Sequence, residues 1–170
     1  IIRQRNYPNL NQCTVAVIGM GYVGLPLAVE FAKKKESNNS KNLLSRDVIG
    51  FDINQKRIDE LKSGIDVTGE ISKEELLKVD FLDLTNDIDS IARADVFIVT
   101  VPTPIDEFKK PDLKALENAS STVGKAVKIR TKKYKIKKSL PVVIFESTVF
   151  PGTTEEICIP VLQEESGLIY

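Results

Sequence analysis

The chain has 170 residues, 42% of them hydrophobic and 28% charged, which suits one globular domain with a full core. Lys plus Arg and Asp plus Glu both number 24, so no charge imbalance points to nucleic acid or to a membrane surface. No apolar run approaches a membrane span and no signal peptide is visible. Histidine, the commonest general base, is missing, and two cysteines make no metal or disulfide framework, so a reducing cytoplasm and no metal site are expected.

In chain order, residues 1–13 read as a polar lead-in, and a first residue other than Met predicts a trimmed or incomplete amino terminus. Val15 to Ile18 read as a strand buried on both faces. Gly19, Gly21 and Gly24 follow in the spacing G-x-G-x-x-G, and a helix is predicted over 22–35 on the recurrence of Val23, Leu27 and Phe31. In this strand–turn–helix context the three glycines do different things. Gly19 turns the chain, Gly21 lets a pyrophosphate approach the backbone, and Gly24 lets helix and sheet pack closely. The free N–H groups of the new helix face the anion, and Pro26 fits a first turn, where its missing N–H costs nothing.

A surface loop is predicted over 36–46, rich in Asn and Ser. It explains why the next strand, 48–52, brings its acid Asp52 later than the usual ~20 residues after the glycines. Asp52 can accept hydrogen bonds from the ribose hydroxyls of an adenosine and would repel a 2′-phosphate, which favours NAD over NADP. Arg57, one turn into the following helix, either reaches the adenine end or is a solvated helix charge.

Asn54 and Gly64 bound that helix, and Ser72 with Glu75 forms a capping box for a short one. A short strand over 81–85 and a helical turn or two over 87–94 come next. The strand over 96–101 runs into Pro102-Thr103-Pro104, which cannot continue a sheet. Asp112 caps a helix over 113–127. A buried strand over 140–146 and the loop 147–153 lead to a last helix ending near 166.

Alternation of strands and helices predicts an α/β fold of the Rossmann type, a doubly wound, mainly parallel sheet with helices on both faces. Ligands of such sheets sit at the carboxyl ends of the strands, where three polar turns fall: 19–24, 102–104 and 147–152. Cys158 reads as a core thiol, and Cys13 has no basic neighbour to activate it. Seven of the eleven residues from 128 to 138 are Lys or Arg, read as a solvated helix end rather than a nucleic-acid patch.

Three motifs together, Gly-Met-Gly-Tyr-Val-Gly-Leu-Pro-Leu-Ala, Val-Pro-Thr-Pro and Glu-Ser-Thr-Val-Phe-Pro-Gly-Thr-Thr-Glu, resemble the amino-terminal domain of the UDP-glucose/GDP-mannose dehydrogenases. Within that family the chain looks most like the bacterial UDP-N-acetylhexosamine 6-dehydrogenases of surface-polysaccharide synthesis. The resemblance implies that Gly19, Met20, Gly21, Tyr22, Val23, Gly24, Asp52, Arg57, Val101, Pro102, Thr103 and Thr148 contact NAD, and that Thr148 also positions a catalytic water. It further implies oxidation of the sugar C6 alcohol to the acid with two NAD, through a cysteine thiohemiacetal and thioester.

That nucleophile, the central helix and the UDP-binding domain lie in segments this sequence does not contain, so residues 14–170 are expected to be a fragment of a longer enzyme and inactive alone. The expected partners are a UDP-sugar and, through the central helix, further copies of the enzyme; nucleic acid and membrane are not expected. Two other readings share the glycine turn and the acid: a regulatory nucleotide-sensing module, and another NAD-dependent hydroxyacid or hydroxyacyl dehydrogenase.

Overall fold

A computed structural model describes residues 7–9, 12–33, 47–79, 81–105, 110–133 and 140–169. The predicted loop 36–46, most of the lead-in and the end of the basic run lie outside the described residues.

Five strands form one parallel sheet in the order β3-β2-β1-β4-β5. They are β1 (Val15–Ile18), β2 (Val48–Phe51), β3 (Leu82–Thr85), β4 (Val96–Val99) and β5 (Val142–Phe145). The central strand β1 is buried along its whole length, and Val15 pairs with Val48 on one side and Val96 on the other. Side chains along it alternate between two cores. Ala16 and Ile18 join a cluster with Ile91 of α4 (Ile88–Ile91), Leu116 and Val123 of α5 (Lys114–Lys133), and Cys158. Val15 and Val17 join the opposite cluster with Leu25 and Val29 of α1 (Gly24–Lys33), Ile58 and Leu61 of α2 (Gln55–Lys62), and Leu76 of α3 (Lys73–Leu77). Helices therefore cover both faces, and the strand order reverses between β1 and β4, which opens the ligand crevice of this topology.

Four expectations need correction. The first helix begins at Gly24, and Tyr22 stands exposed in the turn before it. The strand expected over 96–101 ends at Val99: the Thr100 N–H still donates to the Ile18 carbonyl, but the prolines beyond carry no donor. The last strand is a sheet edge, not a buried strand; it is half-buried with Ile144 exposed, because an apolar run does not reveal which strand is outermost. The long helix continues to Lys133, with Arg130, Lys132 and Lys133 in a last turn where cations suit the helix dipole.

The final helical stretch opens with a π-helical turn, Thr154–Cys158, and continues as α6 (Ile159–Ser166) to a left-handed Gly167. The Ile159 N–H reaches back to the Thr154 carbonyl, and Pro160, which has no N–H and needs room for its ring, follows at once.

Candidate functional site

The glycine turn is built from backbone contacts that only glycine permits. Gly19 has φ +99, a left-handed conformation. A Cβ on Gly24 would collide with the Gly19 carbonyl and the Thr100 hydroxyl, so the start of α1 is pressed against the turn. A Cβ on Gly21 would meet no protein atom within 4 Å, so the side of the turn that a pyrophosphate must approach is open. Met20 points the other way: its side chain is fully buried, and a Cβ on Gly50 would lie 2.8 Å from the Met20 sulfur. Only the backbone of Met20 serves the turn.

That backbone is held on both sides. The Met20 N–H donates to Asp52 Oδ2 at 2.9 Å, and the Met20 carbonyl accepts from Arg57 Nε at 2.9 Å. Asp52 follows β2 directly, and its Oδ1 accepts from the Asn54 N–H at 2.9 Å. A carboxylate offers about four acceptor positions, so each oxygen keeps one for a ligand hydroxyl. Arg57 is not a solvated helix charge. It is 8% exposed, and its Nη2 pairs with Asp66 Oδ1 at 2.6 Å. Among the described residues its Nη1 is the buried side-chain nitrogen that lacks a hydrogen-bond partner.

Asp66 gathers the loop after α2 around itself. It accepts from the Thr68, Glu70 and Ile71 N–H groups and from the Thr68 hydroxyl. Burial alone would raise its pKa, but the hydrogen bonds from Thr68, Arg57 and the backbone outweigh this and hold the carboxyl well below the usual carboxylate range.

The two other strand-end turns meet on the far side of β1. The Thr103 hydroxyl donates to the Thr148 carbonyl at 2.6 Å, and the Ser147 hydroxyl to the Val101 carbonyl at 2.6 Å. A Cβ on Gly19 would lie 3.1 Å from Val101 Cγ1, so this pair of turns abuts the glycine turn. Thr148 is exposed, Thr103 and Val101 half-buried, Pro102 exposed. Tyr22 and Val23 are exposed in the turn just before α1. The three turns thus converge as their positions at the strand ends required.

Two contributors escape a reading of the sequence. Thr100 donates its buried hydroxyl to the Ile18 and Gly19 carbonyls, both at 3.0 Å, and so clamps β4 to the glycine turn. The one signal for it is a polar residue closing an apolar run. Asp66 lies in a loop whose fold depends on Arg57, which no local pattern indicates. Both cysteines are buried, and burial pushes the Cys158 thiol pKa upward, as suits a core thiol rather than a nucleophile.

A parallel sheet with an open glycine turn at its switch point and an acid closing the next strand defines a Rossmann dinucleotide-binding domain. Comparison with known proteins narrows the class. The family model described as "UDP-glucose/GDP-mannose dehydrogenase family, NAD binding domain" matches residues 13–169, and the chain belongs to that family as its NAD-binding domain.

The chain is 51% identical over 154 residues to the UDP-N-acetyl-D-glucosamine 6-dehydrogenase of Pseudomonas aeruginosa, covering 91% of this chain and 32% of that protein. It is 44% identical over 161 residues to the protein of the same name from Salmonella typhi, covering 95% and 33%. Among solved structures, the UDP-glucose dehydrogenase of Pyrobaculum islandicum superposes with a TM-score of 0.75 at 26% identity, covering 99% of this chain and 35% of that one. The chain therefore spans about one third of the length of these relatives. No helix among the described residues is long and apolar enough to cross a membrane.

Proposed function

We propose that this chain is the cofactor-binding part of a nucleotide-sugar 6-dehydrogenase that oxidises the C6 alcohol of a UDP-N-acetylhexosamine, or of UDP-glucose, to the uronic acid with two NAD. The observation that carries the reading is the pair of hydrogen bonds joining the 101–103 and 147–148 turns beside the glycine turn. A nucleotide-sensing module needs the glycine turn and the acid, but not a second polar wall. The names of the relatives support the choice of sugar, and the enzyme is proposed to work in the cytoplasm as a homo-oligomer.

The open side of Gly21 and the remaining acceptor positions of Asp52 fit a dinucleotide. NAD, when bound, supplies a hydride acceptor. The residues of this chain bind and orient it. The backbone N–H groups of residues 21–24 would face the pyrophosphate, since those of Gly19 and Met20 donate to the Phe51 carbonyl and to Asp52. Asp52 would accept from the adenosine ribose, with Arg57 beside it. Val101, Pro102 and Thr103 form the wall next to the glycine turn. Thr148, with its carbonyl fixed by Thr103, holds a water at the reacting carbon. The nucleophile is supplied by a segment outside this sequence.

Turnover of the longer enzyme carrying this domain, measured by NADH formation on a panel of UDP-sugars, tests the proposal. UDP-N-acetylhexosamine oxidation is expected from the longer enzyme and none from these 170 residues alone. Thr148→Ala in the longer enzyme should lower kcat by ~10²-fold with the fold intact, the scale of a misplaced reacting group. Turnover by the isolated chain would overturn the division of labour, and an unchanged kcat would remove Thr148 from the chemistry.

A further inference from the structure

We infer that Asp66 is a positioning residue for the cofactor: it holds the Arg57 guanidinium against the Met20 carbonyl and so fixes the glycine turn at the adenosine end of the site. This rests on the reading that the site binds NAD through Asp52 and Arg57.

The geometry forms a chain of contacts. Asp66 Oδ1 holds Arg57 Nη2, Arg57 Nε holds the Met20 carbonyl, and the N–H of that same residue is held by Asp52 Oδ2. Met20 thus sits between the two charged side chains that face the adenosine in the proposed complex. Asp66 does not reach the ligand itself, since its side chain is 1% exposed and sealed by its own loop. It acts through Arg57.

Stability alone is a poor account of this pair. Burying a carboxylate and a guanidinium costs desolvation energy that an apolar pair of similar volume avoids. The loop 65–71 is folded to offset that cost, with the Thr68, Glu70 and Ile71 N–H groups and the Thr68 hydroxyl all directed at Asp66. Even so, Arg57 Nη1 keeps no partner among the described residues. A buried cationic donor is left unpaired only where something else explains it, such as a ligand acceptor. The carboxylate orients a guanidinium that keeps one donor uncommitted among the described residues.

Calorimetric titration of NAD into the 170-residue chain and its Asp66→Asn, Arg57→Ala and doubly substituted variants, below the Tm of each, tests the inference. Asp66→Asn should weaken NAD binding at least tenfold, Arg57→Ala at least as much, and the double variant should bind within twofold of Arg57→Ala, because Asp66 has nothing left to position. Folded Asp66→Asn that binds NAD within twofold of the unsubstituted chain overturns the inference. So does a double variant weaker than Arg57→Ala by the full Asp66→Asn factor, which is the pattern of a purely structural role.

If Asp66→Asn does not fold by circular dichroism, Thr68→Ala decides. It removes a hydroxyl bonded to both carboxylate oxygens and leaves the charge in place, so it should weaken NAD about threefold, and unchanged binding overturns the inference. Failure of the unsubstituted chain to bind NAD would instead defeat the underlying reading, and is seen before any variant is compared.

Discussion

A methyl group on Gly24 would overlap the Gly19 carbonyl and the Thr100 hydroxyl, neither of which can swing aside without unlocking the glycine turn. Gly24→Ala is expected to cost about 3 kcal/mol, the upper range for overpacking a tight contact. Thermal unfolding should show a Tm lower by roughly 6–12 °C. An unchanged Tm would mean that the helix does not press on the turn as described. Asp66 gives the fold a pH dependence of definite sign. Its native pKa is depressed below the unfolded value near 3.9, so its contribution is complete above about pH 4 and is lost as pH falls from there toward the native pKa. The Tm difference between the unsubstituted chain and Asp66→Asn should therefore be constant from pH 7 to 5 and narrow below about pH 4. A difference that stays constant down to pH 2 would contradict the depressed pKa.

The elements differ in how far sequence reveals them. The capping residues Asn54 and Ser72 with Glu75 stand where the pattern puts them, because a cap is a contact between near neighbours. The exposure of β5 and the end of α5 are not legible in this way, because both depend on distant partners. The basic run illustrates this. Lys128 and Lys132 are exposed, as a solvated helix end requires, while residues 134–138 lie outside the described residues. Arg130 is different: it pairs with Asp95 at 2.6 Å and donates to the Arg93 carbonyl, and the other Asp95 oxygen accepts from the Thr14 N–H. It ties α5 to the starts of β1 and β4, at the end of the sheet away from the site. Arg130→Ala should cost about 2 kcal/mol, the scale of lost hydrogen bonds to charged groups. Neutralising Lys128 and Lys132 together should stay within about 0.5 kcal/mol. Equal losses in urea unfolding would return Arg130 to the solvated set.

At the scale of the whole molecule, the two-sided fold and the convergence of the three turns are legible because strand ends fix where polar turns must meet. Asp52 is legible for the same reason, since it closes β2 beside the central strand. The Arg57–Asp66 pair and the Thr100 clamp are not, because each joins segments whose approach is set by the packed sheet and helices rather than by spacing. The proposed function centres on a cofactor site in which Asp52 would accept an adenosine ribose and reject a 2′-phosphate. Titration of NAD and NADP into this chain and into Asp52→Ala measures that directly. The unsubstituted chain should bind NAD more tightly than NADP, and Asp52→Ala should weaken NAD by ~1–3 kcal/mol while narrowing the preference. Equal or reversed affinities in the unsubstituted chain would contradict this assignment of Asp52.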